Sequence, residues 1–133
     1  MTAGYSGTPL AQKLGIKVDS RVLVVGAPAG FAPELPAGVS VHRRRGRGRY
    51  DVVLLFCRNS RNLHDRFGTL VDAIGPAGAI WVCWAKRASG VSTDLSENGV
   101  REHGLACGLV DVKVAAIDEV WSGLKFLRRL ADR

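Results

Sequence analysis

Five arginines crowd into one short stretch of the sequence, residues 42–49, which reads His-Arg-Arg-Arg-Gly-Arg-Gly-Arg. An arginine guanidinium presents a planar fork of donors that matches the oxygens of a phosphate group. The chain has a formal net charge of +7, and all of this excess lies in residues 1–66, which hold 11 basic and 4 acidic residues. The stretch predicts binding of a phosphorylated ligand or a nucleic acid, while a solvated surface loop is the alternative explanation.

A glycine-containing turn supplies the second candidate site. Residues 26–31 read Gly-Ala-Pro-Ala-Gly-Phe and directly follow the apolar run 21–25. Glycines at such a turn let the backbone approach a nucleotide closely, which makes Gly26, Pro28 and Gly30 candidate ligand-binding residues. Proline lacks the N–H that a middle glycine would offer, so a tight structural turn is the competing interpretation.

The third candidate site is the polar segment 85–93, which precedes a predicted helix. Cations and hydroxyl groups beside a helix N-terminus favour an oxyanion, so we take Lys86, Arg87 and Ser89 as candidate ligand-binding residues. The ordinary alternative is a turn in which these side chains are solvated. Trp121, near the same edge, could stack on a base or serve as hydrophobic cover.

The sequence offers little support for a catalytic or metal-binding group. Its three histidines have no metal-ligand spacing. Cys57 lies beside Arg58 and could have a lowered thiol pKa, but no histidine or carboxylate partner can be assigned to it. The three cysteines lie far apart within apolar stretches, which excludes a disulfide framework and a zinc site. We therefore predict no catalytic residue and no metal ion.

Nearly continuous β-branched and apolar runs predict strands buried on both faces, as in a parallel sheet. These strands are residues 21–26, 50–56 and 79–84, and residues 39–41 are predicted as a shorter, weaker strand. Two further strands, residues 112–117 and 123–127, are joined by only a few residues and predict an antiparallel hairpin.

Three helices are predicted from capping residues and apolar periodicity. The first spans residues 8–15. The strongest spans residues 60–75 and includes Ile74 on its apolar face. The third spans residues 94–108 and has Asp94 as its N-terminal cap.

Strands alternating with helices predict an α/β fold: a minimal Rossmann-like three-layer domain with a mostly parallel sheet of about six strands, ending in an antiparallel hairpin. No composition shift marks a linker, so residues 1–133 are expected to form one domain. Ligands of open parallel sheets bind outside the carboxyl ends of the strands. The loops at that edge carry nine of the 19 basic residues and predict an anion-attracting surface: Arg43, Arg44, Arg45, Arg47, Arg49, Arg58, Arg61, Lys86 and Arg87.

The connection after the second strand is short for a parallel arrangement of the second and third strands. Residues 44–50 reach about 24 Å when fully extended, barely enough to carry the chain back across a sheet. The second strand could therefore pair antiparallel, which would move part of the arginine stretch away from the carboxyl edge.

Composition also bears on location. The chain is 47% hydrophobic and 23% charged, which fits a globular domain and excludes a disordered tail. No apolar run approaches the ~20 residues of a membrane helix, and the first residues do not resemble a signal peptide. We expect a cytoplasmic protein without membrane contact.

The order of these elements resembles the class I S-adenosylmethionine-dependent methyltransferase fold with one strand–helix unit lost. The resemblance covers most of the chain and rests on residues 22–30, 50–56 and 74–78 and the final hairpin. It implies that S-adenosylmethionine is held at residues 26–30. The chain also looks like a small bacterial family of unknown function, which implies no activity, through residues 4–10, 86–95, 108–114 and 121–124.

Three functional hypotheses follow. The leading one is a non-catalytic protein that binds a phosphorylated small molecule or nucleic acid through its arginine-rich edge. The second is a reduced methyltransferase-like protein that holds S-adenosylmethionine or a nucleotide. The third is a homo-oligomeric interaction module, such as a homodimer, in which a second copy covers apolar sheet surface that the few helices leave exposed.

Overall fold

The computed structural model describes residues 9–133, which form six strands and three α-helices. The strands are β1 (Arg21–Val25), β2 (Ser40–His42), β3 (Tyr50–Phe56), β4 (Ile74–Ala85), β5 (Leu109–Ala116) and β6 (Trp121–Arg128). The helices are α1 (Leu10–Leu14), α2 (Ser60–Leu70) and α3 (Glu97–Ala106), with short 3-10 turns at Val71–Ala73, Arg87–Ser89 and Leu130–Asp132. None of the helices formed by the described residues is long and apolar enough to cross a membrane.

All six strands join one sheet in the order β2-β1-β3-β4-β6-β5. β1 pairs in parallel with β2 and β3, and β3 pairs in parallel with β4. β6 runs antiparallel to both of its neighbours, β4 and β5. The predicted α/β class, the mostly parallel sheet and its closing antiparallel hairpin are therefore confirmed.

β2 pairs in parallel with β1, so the antiparallel alternative is wrong. β2 has only three residues and lies beside the first half of β1, where His42 is opposite Leu23. Residues 43–49 therefore return along only part of the length of β1 before β3 begins at Tyr50. A short second strand, and not a reversed one, is what lets residues 43–49 make the return.

The two faces of the sheet are covered unequally. On one face, α2 and α3 bury side chains such as Phe67 and Val100 against the strands. The other face is covered by α1 and by the segment 27–39. Trp81 projects from β4 into this second face and donates from Nε1 to the backbone oxygen of Leu14 at 3.1 Å. The fold has the three predicted layers, and one of them is thin.

The predicted end of α2 is wrong, because Ile74 begins β4 instead of ending the helix. Arg128 of β6 donates from Nη2 to the backbone oxygens of Val71 and Ile74, at 2.8 and 2.7 Å. This guanidinium satisfies carbonyl groups that a longer helix would use, so the chain leaves the helix after Leu70. Ile74 still enters the same hydrophobic core as α2.

The predicted cap of α3 is also wrong. Ser96 is the N-terminal cap, and its side chain accepts from the backbone N–H of Gly99 at 3.1 Å. Asp94 instead accepts from the backbone N–H of Ser60, in the first turn of α2, at 2.8 Å. This hydrogen bond lowers the pKa of Asp94 and ties the start of α2 to the loop that precedes α3.

α3 lies directly against β6 at Gly104. A Cβ atom at this position would lie 2.0 Å from Cε1 of Phe126. The Phe126 ring is fully buried and packs edge-to-face on Phe67, with the ring centroids 5.3 Å apart. A residue without a side chain at position 104 is therefore what allows the helix to sit this close to the sheet.

Candidate functional site

We take the switch point between β1 and β3, at the carboxyl edge of the sheet, as the candidate functional site and call it the crevice. The strand order reverses here, because β2 lies on one side of β1 while β3 and β4 extend on the other. Ligands of open α/β sheets bind at such a switch point. The connections that border it are the turn 26–31 after β1 and residues 57–59 after β3.

The two glycines of the turn after β1 have different surroundings. Both have a left-handed backbone, with φ of +73° at Gly26 and +83° at Gly30. A Cβ on Gly26 would lie 2.8 Å from the backbone oxygen of Phe56 and 3.1 Å from Nη1 of Arg66, whereas one on Gly30 would meet nothing within 4 Å. Pro28 closes the turn by accepting a backbone hydrogen bond at 3.2 Å. Close packing against Phe56 and Arg66 therefore leaves no room for a side chain at Gly26, while the space beside Gly30 is open.

Arg66 also borders this crevice, although loop composition did not single it out. It belongs to α2, and long side chains on a helix point back towards the helix N-terminus. Its guanidinium consequently reaches the turn at Gly26 from the second turn of the helix. Counting basic residues in the first two turns of the helix after β3 would have found it.

The arginine stretch divides between the two edges of the sheet. Arg43 donates to the backbone oxygen of Phe31 at 3.3 Å and so remains beside the turn after β1. Arg45 points to the opposite edge, where it donates to the backbone oxygen of Thr69 at 2.8 Å and pairs with Asp72 at 2.9 Å. The prediction that the whole stretch lines the carboxyl edge is therefore wrong.

The rest of the stretch follows Arg45 to the amino edge. Arg21, at the start of β1, donates to the backbone oxygen of Arg49 at 2.9 Å and also to that of Arg47. Arg44 is exposed between the two halves of the stretch. The short β2 is the physical reason, because the chain turns back before it reaches the carboxyl edge.

Arg58 lies at the carboxyl edge as predicted, on the connection after β3, with an exposed side chain. Its backbone oxygen accepts from the hydroxyl of Thr93 at 2.9 Å, which joins this connection to the loop after β4. Arg43 and Arg66 thus approach the turn after β1 from two different elements, and Arg58 lies on the connection after β3.

The loop after β4 is held together by its own polar groups. Lys86 donates from Nζ to the backbone oxygen of Asp118, and the Ser89 hydroxyl donates to the backbone oxygen of Lys86, both at 2.6 Å. Arg87 is exposed. A cavity of about 470 Å³ opens between this loop and the start of α3. Lys86 and Ser89 therefore shape the loop, and Arg87 is the predicted residue of this segment whose side chain faces solvent.

Trp121 is a core residue, only 7% exposed. Its ring packs edge-to-face on Phe56 with the centroids 5.2 Å apart, and Phe56 packs in the same way on Phe31 at 5.0 Å. This aromatic row lies beneath the crevice on the thinly covered face. Hydrophobic cover explains Trp121, because its ring is not exposed for stacking on a ligand.

Cys57 is not the activated thiol that its place beside Arg58 suggested. The side chain is fully buried. This burial raises the pKa of the Cys57 thiol to about 12, although the nearby Arg66 charge acts in the opposite direction. The thiol is therefore protonated and inert at neutral pH.

We expect Cys57 to resist alkylation in the folded protein. A pKa raised from 9.0 to about 12 leaves about a thousandfold less thiolate at neutral pH. Iodoacetamide treatment followed by mass spectrometry should find Cys57 labelled only after denaturant is added. Half-buried Cys107 serves as the internal comparison. Labelling of Cys57 in the native protein at the same rate as Cys107 would contradict this burial.

No group of three or more histidine, cysteine or acidic side chains within residues 9–133 is placed to hold a metal ion. His64 and His103 instead stack across α2 and α3, with their ring centroids 4.3 Å apart. Burial, followed by the neighbouring His64, lowers the pKa of His103. These imidazoles pack the two helices together.

No protein-family model and no curated protein matches the sequence. Several solved structures match its fold. A complex of DhpI with SAH aligns with a TM-score of 0.60 over 92% of this chain and 83% of that chain, at 11% identity. The N-methyltransferase NodS from Bradyrhizobium japonicum WM9 aligns with a TM-score of 0.56 over 88% of this chain and 89% of that chain, at 15% identity.

A third similar structure is the 1,6-didemethyltoxoflavin-N1-methyltransferase of Burkholderia thailandensis, which holds S-adenosylhomocysteine (SAH). It aligns with a TM-score of 0.56 over 90% of this chain and 74% of that chain, at 17% identity. At such identities the likeness concerns the fold alone. The chain has a truncated class I methyltransferase-like fold, as the order of its sequence elements predicted.

Proposed function

We propose that this chain is a methyltransferase-like protein that binds an adenosyl compound with an anionic end in the crevice between β1 and β3. S-adenosylmethionine and SAH are the first candidates, because proteins of the same fold are known as complexes with SAH. NADP or another phosphorylated nucleotide is the second candidate. The observation that carries the proposal is the open backbone at Gly30, beside the switch point of the sheet.

The arginines that flank the crevice would bind the anionic end of the ligand. Arg43 and Arg66 lie beside the turn after β1, and Arg58 lies on the next connection. A carboxylate or phosphate between them would receive charge-assisted N–H donors. S-adenosylmethionine has such a carboxylate, and NADP has phosphates. The anion-binding hypothesis is thereby restricted to the part of the arginine stretch that lies nearest the crevice.

The fit to S-adenosylmethionine is incomplete at the ribose. In related folds a carboxylate about 20 residues after the glycine turn binds the ribose hydroxyls, but among the described residues His42 and Arg43 stand at the end of β2. This basic pair favours the phosphorylated candidate, whereas the fold favours S-adenosylmethionine. S-adenosylmethionine supplies an activated methyl group when bound. We assign only binding and orientation to this chain, and no transfer step.

A thermal-shift panel tests the proposal. The panel contains S-adenosylmethionine, SAH, NADP, ATP, single-stranded RNA and duplex DNA. A ligand at about 100 times its Kd stabilises the folded state by about 2.7 kcal/mol, so its Tm shift is readily measured. We expect S-adenosylmethionine or SAH to raise Tm. A shift with NADP or ATP alone supports the second candidate. A shift with only RNA or DNA, or with nothing, overturns the proposal.

The exposed valines of the edge strand β5 are the observation that favours the interaction-module alternative. Val112 and Val114 are each 45% exposed. The same strand has a register shift between Asp111 and Lys113, and both a bulge and a lysine hinder pairing with another strand. Light scattering of the ligand-free protein tests whether the protein self-associates.

A further inference from the structure

Three of the five lysines in the chain lie near one another on the thinly covered face of the sheet, because Lys125 is opposite Lys113 and reaches Gly15, which lines the same cavity as Lys17. Lys113 of β5 and Lys125 of β6 are directly opposite each other in the antiparallel pairing. Lys17 joins them from the segment between α1 and β1. The chain otherwise prefers arginine, with 14 arginines among its 19 basic residues. The convergence of its few lysines is therefore a specific feature of this surface, which we call the lysine cluster (Lys17, Lys113 and Lys125).

Lys125 is the half-buried member of the lysine cluster. Its Nζ lies 5.9 Å from the centroid of the buried Trp81 ring, and 3.7 Å from where a Cβ on Gly15 would be. Burial lowers the pKa of Lys125, and the charges of Lys113 and Lys17 lower it further. Lys125 therefore lies in a position where its own charge is disfavoured.

No carboxylate among residues 9–133 forms an ion pair with a member of the lysine cluster. The four ion pairs found among residues 9–133 all use arginine as the cation. Residues 1–8 contain no aspartate or glutamate that could supply the missing charge. Like charges directly opposite each other on paired strands are destabilising. An anion bound at the lysine cluster would remove this cost.

A neighbouring cavity indicates the size of the anion. Gly15 and Lys17 both line a cavity of about 400 Å³, whose other walls are mostly apolar and include Leu35 and Pro36. Glu34 also lines it, so an anionic group would be repelled from that wall and drawn to the lysine side. A volume of this size fits a small organic molecule and is too small for a folded macromolecule.

We propose that the lysine cluster binds the phosphate group of a small phosphate monoester whose apolar body enters the neighbouring cavity. Three compact ammonium groups match a doubly charged phosphate better than the single charge of a phosphodiester. This site is separate from the crevice between β1 and β3 and does not depend on the function proposed there.

Calorimetry with phenyl phosphate at low ionic strength tests this site. We expect phenyl phosphate to bind more tightly than inorganic phosphate, because its ring enters the cavity. Lys125→Met should weaken binding of phenyl phosphate at least about tenfold, the loss of one charge-assisted contact. Arg61→Met removes the same charge from an exposed position on α2 and should leave the affinity within about twofold. Arg66→Gln should also leave it unchanged, which separates this site from the crevice.

A second readout distinguishes a binding site from a merely basic surface. Lys125→Met should raise Tm in phosphate-free buffer, because it removes the like-charge repulsion, and should reduce the stabilisation that phenyl phosphate gives to the parent protein. If Lys125→Met fails to fold, exposed Lys113→Gln replaces it with the same expectations. Unchanged affinity in both variants overturns the proposal. Binding of duplex DNA without binding of phenyl phosphate overturns it as well.

Discussion

Substituting alanine for Gly104 should destabilise the folded protein by about 3 kcal/mol, at the upper end of what overpacking a core normally costs. The new methyl group would lie 2.0 Å from Cε1 of Phe126. The ring cannot withdraw, because it is fully buried and packed against Phe67. Alanine has a higher helix propensity than glycine, but this difference offsets only about 1 kcal/mol of the destabilisation. Urea unfolding followed by circular dichroism measures the loss.

Gly68→Ala is the matched control for this substitution. Gly68 also lies in a helix, α2, but a Cβ there would meet nothing within 4 Å. We expect Gly68→Ala to stabilise the protein by about 0.5 to 1 kcal/mol. Adding Phe126→Leu to Gly104→Ala should recover part of the loss, because a smaller side chain makes room for the methyl group. Equal stability of Gly104→Ala and Gly68→Ala would show that α3 does not rest on this ring.

Replacing Arg43 and Arg66 together by glutamine should weaken binding to the crevice at least about a hundredfold. Each arginine would donate a charge-assisted hydrogen bond to the anionic end of the ligand, and such bonds contribute about 1.5 to 3 kcal/mol each. Calorimetry with SAH, repeated with NADP, measures the affinity. The glutamines keep hydrogen-bonding capacity but remove the charges, so the loss should be greatest at low ionic strength.

Arg44→Gln with Arg45→Gln is the control for this pair, because it makes the same change in net charge within the same basic stretch. Arg45 binds the backbone oxygen of Thr69 and the carboxylate of Asp72 at the opposite edge. We expect this double variant to bind SAH and NADP with the parent affinity and to lose some stability. Equal weakening by both double variants would mean that net charge, and not placement at the crevice, governs binding.

The strands were predictable because strands buried on both faces of a sheet consist almost entirely of apolar residues, and such runs are visible in the sequence. β3 buries six of its seven residues, and β1 buries its three central ones, so each contains a continuous apolar run. Such runs occur where helices or other cover lie on both faces of a sheet. Their order then predicted the methyltransferase-like layout. The hairpin was also found, although its strands begin earlier than predicted, at Leu109 and Trp121.

The helix ends were not predictable from local patterns, because distant residues determine them. Arg128, more than 50 residues away in sequence, donates hydrogen bonds to carbonyl oxygens that would otherwise accept from the backbone of a longer α2. The backbone N–H of Ser60, 34 residues away in sequence, donates a hydrogen bond to the carboxylate of Asp94. The spacing of residues along the chain contains no information about such distant partners. The apolar pattern therefore predicted a helix that includes Ile74, and the capping pattern predicted Asp94 as the N-terminal cap.

The candidate site was predicted in part for a similar reason. The turn at residues 26–31 lies at the switch point, because its position follows from the order of the elements. The position of Arg45 depends on the length of β2, which its sequence does not mark. Arg66 reaches the crevice along the axis of α2, so a count of basic residues restricted to the loops overlooks it.

The short connection between β2 and β3 also determines where the fold can tolerate an insertion. Residues 43–49 cross the surface, and Arg44 is exposed between the contact of Arg43 with Phe31 and those of Arg45 at the far edge. Extra chain inserted after Arg44 would interrupt no strand pair and no helix cap. An added secondary-structure unit or a fused reporter domain can therefore be accommodated at this margin, while the buried layers on both sides of the sheet keep their packing.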